Sequence, residues 1–120
     1  VVYEDDDCRA ILDNAPAARG HVIILSKKHA ANIFELPDDD VSRIFVVAKK
    51  IAAAVQKTYS CDGVNILQNN GEASGQTVFH LHVHVIPRFD NDRDRINIGW
   101  KPEKTPDDMS EIAAEIKANL

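Results

Sequence analysis

Three of the chain's five histidines, His80, His82 and His84, occupy every second position of one short segment. Side chains alternate between the faces of a strand, so residues at i, i+2 and i+4 share one face. At a rise of ~3.3 Å per residue, successive rings stand roughly 6–7 Å apart. The intervening Phe79, Leu81, Val83 and Val85 are all apolar. The pattern predicts a strand from Val78 to Ile86, ended by Pro87, with one face in the core and the other made of imidazole. A lone strand histidine is usually a packing residue. Three on an outward face add nothing to packing that Thr or Lys would not. Two histidines at this spacing can chelate a metal ion, but metal sites commonly add a carboxylate or thiolate. Gly75 to Pro87 contains no Asp, Glu or Cys. Just upstream, Gly71 and Gly75 permit close backbone approach and positive φ, and Gln76 and Thr77 add donors. A turn of exposed N–H groups followed by imidazoles suits a phosphate.

The remaining elements must position that face. Val1–Tyr3 and Cys8–Leu12 read as a hairpin with the acids Glu4 to Asp7 as its solvated turn. Asn14-Ala15-Pro16 and Arg19-Gly20 carry loop chemistry, and His21–Leu25 reads as a central strand closed by Lys27-Lys28-His29. Residues 30–36 fit a helical turn ended by Pro37. Asp38 is the expected N-cap of the longest helix, whose stripe is Val41, Ile44, Phe45, Ala48, Ile51, Ala52 and Val55, with Val46 off it. Val64–Gln68 is the next strand, and it should pair antiparallel with the histidine strand. Thr105-Pro106-Asp107-Asp108 reads as the start of a last helix with Met109, Ile112, Ala113, Ile116 and Leu120 on its apolar face. The expected class is α+β: an antiparallel sheet of about five strands, one long helix after the third strand and a C-terminal helix.

At 120 residues the chain fits one domain, expected as a core over 2–88 and a tail with its helix over 89–120. Nineteen Asp and Glu against 14 Lys and Arg give −5, a poor balance for non-specific nucleic-acid binding. No apolar run nears the ~18 residues of a membrane span, and the N-terminus does not resemble a signal peptide. Cys8 and Cys61 form no Cys-x-x-Cys, which suggests two reduced thiols in a cytoplasmic protein.

Gly75-Gln76-Thr77-Val78-Phe79-His80-Leu81-His82-Val83-His84-Val85-Ile86 resembles the signature of the histidine-triad (HIT) superfamily, most of all its Hint-like branch and bacterial relatives. Ala10–Asp13, Gly20–Ile24 and Lys27–His29 are similar to the family's first half. The resemblance covers roughly Val2 to Pro87 and implies a HIT-like domain. It implies His82 as the nucleophile at an α-phosphorus, flanked by His80 and His84, with His84 and Thr77 near the phosphate and leaving group. Asn69, Gln76 and the backbone at Gly75 and Val78 would meet the phosphate, Asp13 the ribose hydroxyls, and His21 would lie close to the triad. Some bacterial members bind zinc through upstream cysteines and two histidines that correspond to His29 and His80. This sequence has no matching cysteine pair, so no metal and no cofactor are expected. Thr77 stands where Ser is frequent, and Asn14 where an apolar base contact is common.

The chemistry is coherent by itself. A neutral imidazole attacking a shielded α-phosphorus gives a nucleotidyl-imidazole that water then hydrolyses, splitting one hard step into two. Loop amides and imidazoles supply donors to the anionic oxygens, and a histidine with a pKa near ~6.5 protonates the leaving group at neutral pH. The expected activity is therefore a nucleoside-phosphate hydrolase or nucleotidyl transferase acting on purine nucleoside phosphoramidates. The alternatives are a dinucleoside polyphosphate hydrolase, a nucleotide-binding regulatory protein with incidental turnover, or a zinc protein using His80 with His82 or His84. A homodimer is also implied, with Val46 and Ala53 offering a second helix face and Trp100 reaching towards the partner's pocket.

Overall fold

The computed structural model describes residues 1–120. Strands β1 (Tyr3–Glu4), β2 (Cys8–Leu12), β3 (Val22–Ser26), β4 (Gly63–Leu67) and β5 (His82–Arg88) form one antiparallel sheet in the order β1-β2-β3-β5-β4. The long helix α1 (Asp38–Tyr59) follows β3, and α2 (Met109–Lys117) lies near the C-terminus. This is the expected α+β class and strand count. No helix is long and apolar enough to cross a membrane.

The acidic hairpin turn is more than solvated charge. The Asp5 carboxylate accepts the N–H groups of Asp7 and Cys8 and the Tyr3 hydroxyl, each at 2.8 Å. These bonds favour its ionised form and hold its pKa down at about 2. One sheet face carries Ala10, Val22, Ile24, Val83 and Val85, which bury against Ile44, Val47, Ala48, Ile51 and Val55 of α1. Phe45 is not in that stripe. It is 39% exposed, and Val47 fills the space, because 44, 47, 48, 51 and 55 lie at the three- and four-residue spacings that face the sheet. Val46 is exposed as expected.

Four further boundaries differ from the sequence reading. The first helical residue is Asp38, with Pro37 in the cap position and no side-chain cap; Asp38, Asp39 and Asp40 instead place their charge in the first turn. Residues 31–36 make turns and bends rather than a helical turn. The last helix begins at Met109, beyond Pro106, and buries none of its residues within this chain. β5 starts at His82 rather than Val78, because Leu81 donates its N–H to the Ala30 carbonyl at 2.7 Å and draws residues 78–81 away from the sheet ladder. Phe79 is consequently 52% exposed and takes no part in the core.

Pro87 does not end β5. Past Val85 only β4 flanks the strand, and a residue without an N–H is tolerated on such an edge. The following Arg88 binds Asp92 through Nε and Nη2 at 2.8 Å each, Asn65 through Nη1 at 2.8 Å and the Ile96 carbonyl through Nη2 at 3.1 Å. This fork folds residues 89–96 back against the sheet, with Ile96 buried.

Candidate active site

The sheet face away from α1 carries His82 and His84. Register places His84 opposite Ile23 and Leu67, and His82 opposite Leu25, so these side chains share that face. The His82 and His84 rings meet edge to face, with centroids 4.9 Å apart.

Two hydrogen-bond chains fix the imidazoles. In the first, His82 donates Nδ1–H to the His80 carbonyl at 2.7 Å. A neutral His82 then has its free lone pair on Nε2. In the second, the Ala17 N–H donates to His21 Nδ1 at 3.0 Å, so neutral His21 carries its proton on Nε2. That proton is donated to His84 Nδ1 at 2.9 Å. His84 therefore holds its own proton on Nε2. One ring presents a lone pair and its neighbour an N–H, the pairing of a nucleophile with a hydrogen-bond donor.

Asp13 sits beside the second chain. Its Oδ1 accepts the Ala15 N–H at 2.8 Å, and its Oδ2 lies 3.5 Å from His21 Nε2. Burial pushes the His21 and His84 pKa values below the ordinary imidazole value; His82 and His21 push His84 further down, and Asp13 partly opposes the shift in both. The folded protein thus prefers this pair neutral. Its contribution to stability is intact above the unfolded value of ~6.5 and is lost as pH falls through the pair's own lowered values. Melting temperatures measured from pH 7.5 to 5 should fall on acidification, and the slope should flatten in His21→Gln. An unchanged slope would contradict the neutral pair.

His80 is not the third member of an imidazole row. It precedes β5, and its Nε2–H donates to the Ser26 carbonyl at 2.6 Å while its Nδ1 accepts from His29 Nδ1 at 3.1 Å. Its ring ties two segments together, and its carbonyl is what orients His82.

The upstream loop brings Asn69, Gly75, Gln76, Thr77 and Val78 together, with different degrees of freedom. The Asn69 side chain makes no hydrogen bond, and its Nδ2 faces Gly75. Thr77 and Val78 are exposed, and their N–H groups are bonded to nothing in the chain. Gly75, at φ +104°, spends its N–H on the Glu72 carbonyl, so it is not available as a phosphate donor. The buried Gln76 amide is also fully engaged and does not reach a ligand from its present position. Sequence patterning missed Ala17, Ser26 and Ala30. All three act through backbone groups, which leave no mark in residue type.

His29 and His80 converge, and within residues 1–120 no third His, Cys or carboxylate joins them. Asp13, His21 and His84 place donor atoms within 4.8 Å of one another, yet the His21–His84 contact is already occupied by a proton that the Ala17 bond dictates. The His80 ring nitrogens point to Ser26 and His29, not towards His82 or His84. Both cysteines are buried and unpaired, and burial first of all pushes the Cys8 thiol up to about 11.

The model of the HIT domain matches residues 1–91. This chain belongs to the HIT family. It is 36% identical to the Protein hit of Bacillus subtilis over 99% of this chain and 83% of that protein. It is 35% identical to the adenosine 5′-monophosphoramidase HNT1 of Saccharomyces cerevisiae over 92% of this chain and 68% of the relative. The crystal structure of a HIT family protein from Bacillus anthracis superposes with a TM-score of 0.90 at 38% identity, covering 99% of this chain and 86% of the other. The five-stranded sheet with α1 packed on one face is therefore a HIT fold, and the paired histidines lie on its open face.

Proposed function

We propose that the protein is a nucleotidyl hydrolase or transferase acting at the α-phosphorus of purine nucleoside phosphoramidates. The observation that carries this reading is the opposed state of two adjacent rings: His82 with its lone pair on Nε2, His84 with its proton on Nε2. His82 attacks the phosphorus, and the P–N electron pair leaves with nitrogen. His84 hydrogen-bonds the departing nitrogen through its Nε2–H. The proton this poor leaving group needs comes from solvent and is returned to solvent when water hydrolyses the intermediate, so no ring is left as an imidazolate. The free N–H groups of Thr77 and Val78, the Thr77 hydroxyl and the Asn69 amide stabilise the charged oxygens. Asp13 keeps Oδ2 for the ribose hydroxyls, since only Oδ1 is taken by the Ala15 turn. Water then releases the nucleotide from His82. The likeness to the yeast monophosphoramidase supports this substrate class.

The test compares adenosine 5′-monophosphoramidate with diadenosine tetraphosphate as substrates of the purified protein, with and without EDTA. Faster turnover of the phosphoramidate, insensitive to EDTA, is expected. Preference for the dinucleotide would reassign the substrate.

We also propose a homodimer. β4 is an open sheet edge with Ile66 45% exposed, and Met109 and Ile116 of α2 and Trp100 are exposed in the single chain. A two-fold contact would cover such surface and bring Trp100 near the partner's site. Sedimentation at micromolar concentration should give about twice 13.3 kDa. A fully active monomer would contradict it.

A further inference from the structure

The loop between β4 and β5 has a weakness for a chemical element. Gly71 and Gly75 adopt φ of +89° and +104°, conformations that impose little restraint. Thr77, Val78 and Phe79 make no side-chain hydrogen bond and are exposed. Yet these residues carry the free amides of the loop that leads into His82. Something must hold them.

One buried side chain does. Gln76 is 3% exposed. Its Oε1 accepts the Gly71 N–H at 2.8 Å, and its Nε2 donates to the Ala31 carbonyl at 2.6 Å and the Val78 carbonyl at 3.1 Å. Its own N–H returns to the Gly71 carbonyl at 3.2 Å. The single amide thus joins the start of the loop, its end and the turn after β3. A second pair of amides, Gln68 and Asn70, bonds reciprocally at 2.7 Å and takes the Ile33 N–H, anchoring the same turn from the β4 side. Between Gly75 and the tethered His80 ring, no other side chain restrains the backbone.

We propose that Gln76 is a positioning residue: its buried amide aims the N–H groups of Thr77 and Val78 and the Thr77 hydroxyl at the phosphoryl oxygens in front of His82. The assignment rests on the proposed α-phosphorus chemistry and refines it. Gln76 governs the phosphate end of the substrate without touching it, while Asp13 holds the ribose end on a different loop. Its loss should therefore appear in the chemical step rather than in nucleotide binding.

Gln76→Glu keeps the size of the side chain and the acceptor for Gly71, but turns an oxygen towards two carbonyl oxygens. Gln76→Ala removes all three side-chain bonds. With adenosine 5′-monophosphoramidate, both should lower kcat by about 30- to 100-fold, the scale expected when reacting groups shift by about 1 Å. KM should stay within about threefold of wild type. Ser74→Ala, which removes one exposed loop hydrogen bond to the Gly71 carbonyl, should keep kcat within about twofold. In amide exchange of the unliganded protein, the Gly71 N–H should exchange about tenfold faster in Gln76→Ala. A folded Gln76→Glu with wild-type kcat overturns the proposal, as does a rise in KM with kcat intact. If neither variant folds, Gln76 merely holds the fold and the proposal falls. Should the wild type not turn over the phosphoramidate, the functional reading fails separately, and Gly71 exchange still reports whether the clasp exists.

Discussion

His82→Ala should lose turnover of adenosine 5′-monophosphoramidate by about 10⁴-fold or more, with AMP affinity within about threefold of wild type. The nucleophile is the one part of the site that neighbours cannot replace. His84 cannot take over, because its Nε2 carries a proton for as long as His21 fills its Nδ1. His80 cannot, because its Nε2–H is spent on Ser26 and its Nδ1 faces His29. His82 itself is half-buried on the open face, away from the apolar contacts with α1. Its removal should therefore shift the melting temperature by no more than a few degrees, on the order of 1 kcal/mol. Calorimetric titration with AMP and a turnover assay decide the matter together. Turnover within about tenfold of wild type would remove His82 as nucleophile.

Gly20→Ala should cost roughly 2–6 kcal/mol of stability, combining left-handed backbone strain of about 1–3 kcal/mol with overpacking of similar size. Gly20 has φ +91°, and a Cβ there would run into Cε2 of Tyr59 and lie 2.9 Å from its Cδ2. Tyr59 is the last residue of α1 and packs, partly buried, against the core, so its ring must shift to admit the methyl group. The effect should reach the chemistry, because His21 follows directly and depends on Ala17 in the same loop for its proton position. Denaturant unfolding measures the first part and kcat the second. Tyr59→Leu in the same background should recover part of the stability by removing the clash while the backbone strain stays. A Gly20→Ala protein as stable as wild type would show that the loop does not need this conformation.

Much of this arrangement is legible in the sequence because strong periodic signals write it. The alternation of β5, the β1–β2 hairpin and the three- and four-residue stripe of α1 each reflect burial of one face, and burial governs residue type directly. The misread residues lie where backbone groups decide. Val78 to Leu81 alternate as a strand does, yet the Ala30 carbonyl captures Leu81 and ends the ladder. His80 looks equivalent to His82 and His84 by spacing, but its ring is bonded to the Ser26 carbonyl, which no pattern of side chains announces. Phe45 and Val47 are equally apolar, and only the rotation of α1 against the sheet separates them.

The Arg88 fork also has a meaning for the tail that follows it. The match to the HIT domain stops at residue 91, next to the Asp92 that the guanidinium grips, and downstream of Ile96 no residue is buried in this chain. The Arg88 hydrogen bonds hold the Asp92 pKa down at about 2, so its carboxylate stays ionised at ordinary acidity. The buried core of the fold thus closes at the Arg88 seam. Beyond it Trp100, Met109 and Ile116 turn outward, so the tail adds surface to the molecule rather than core.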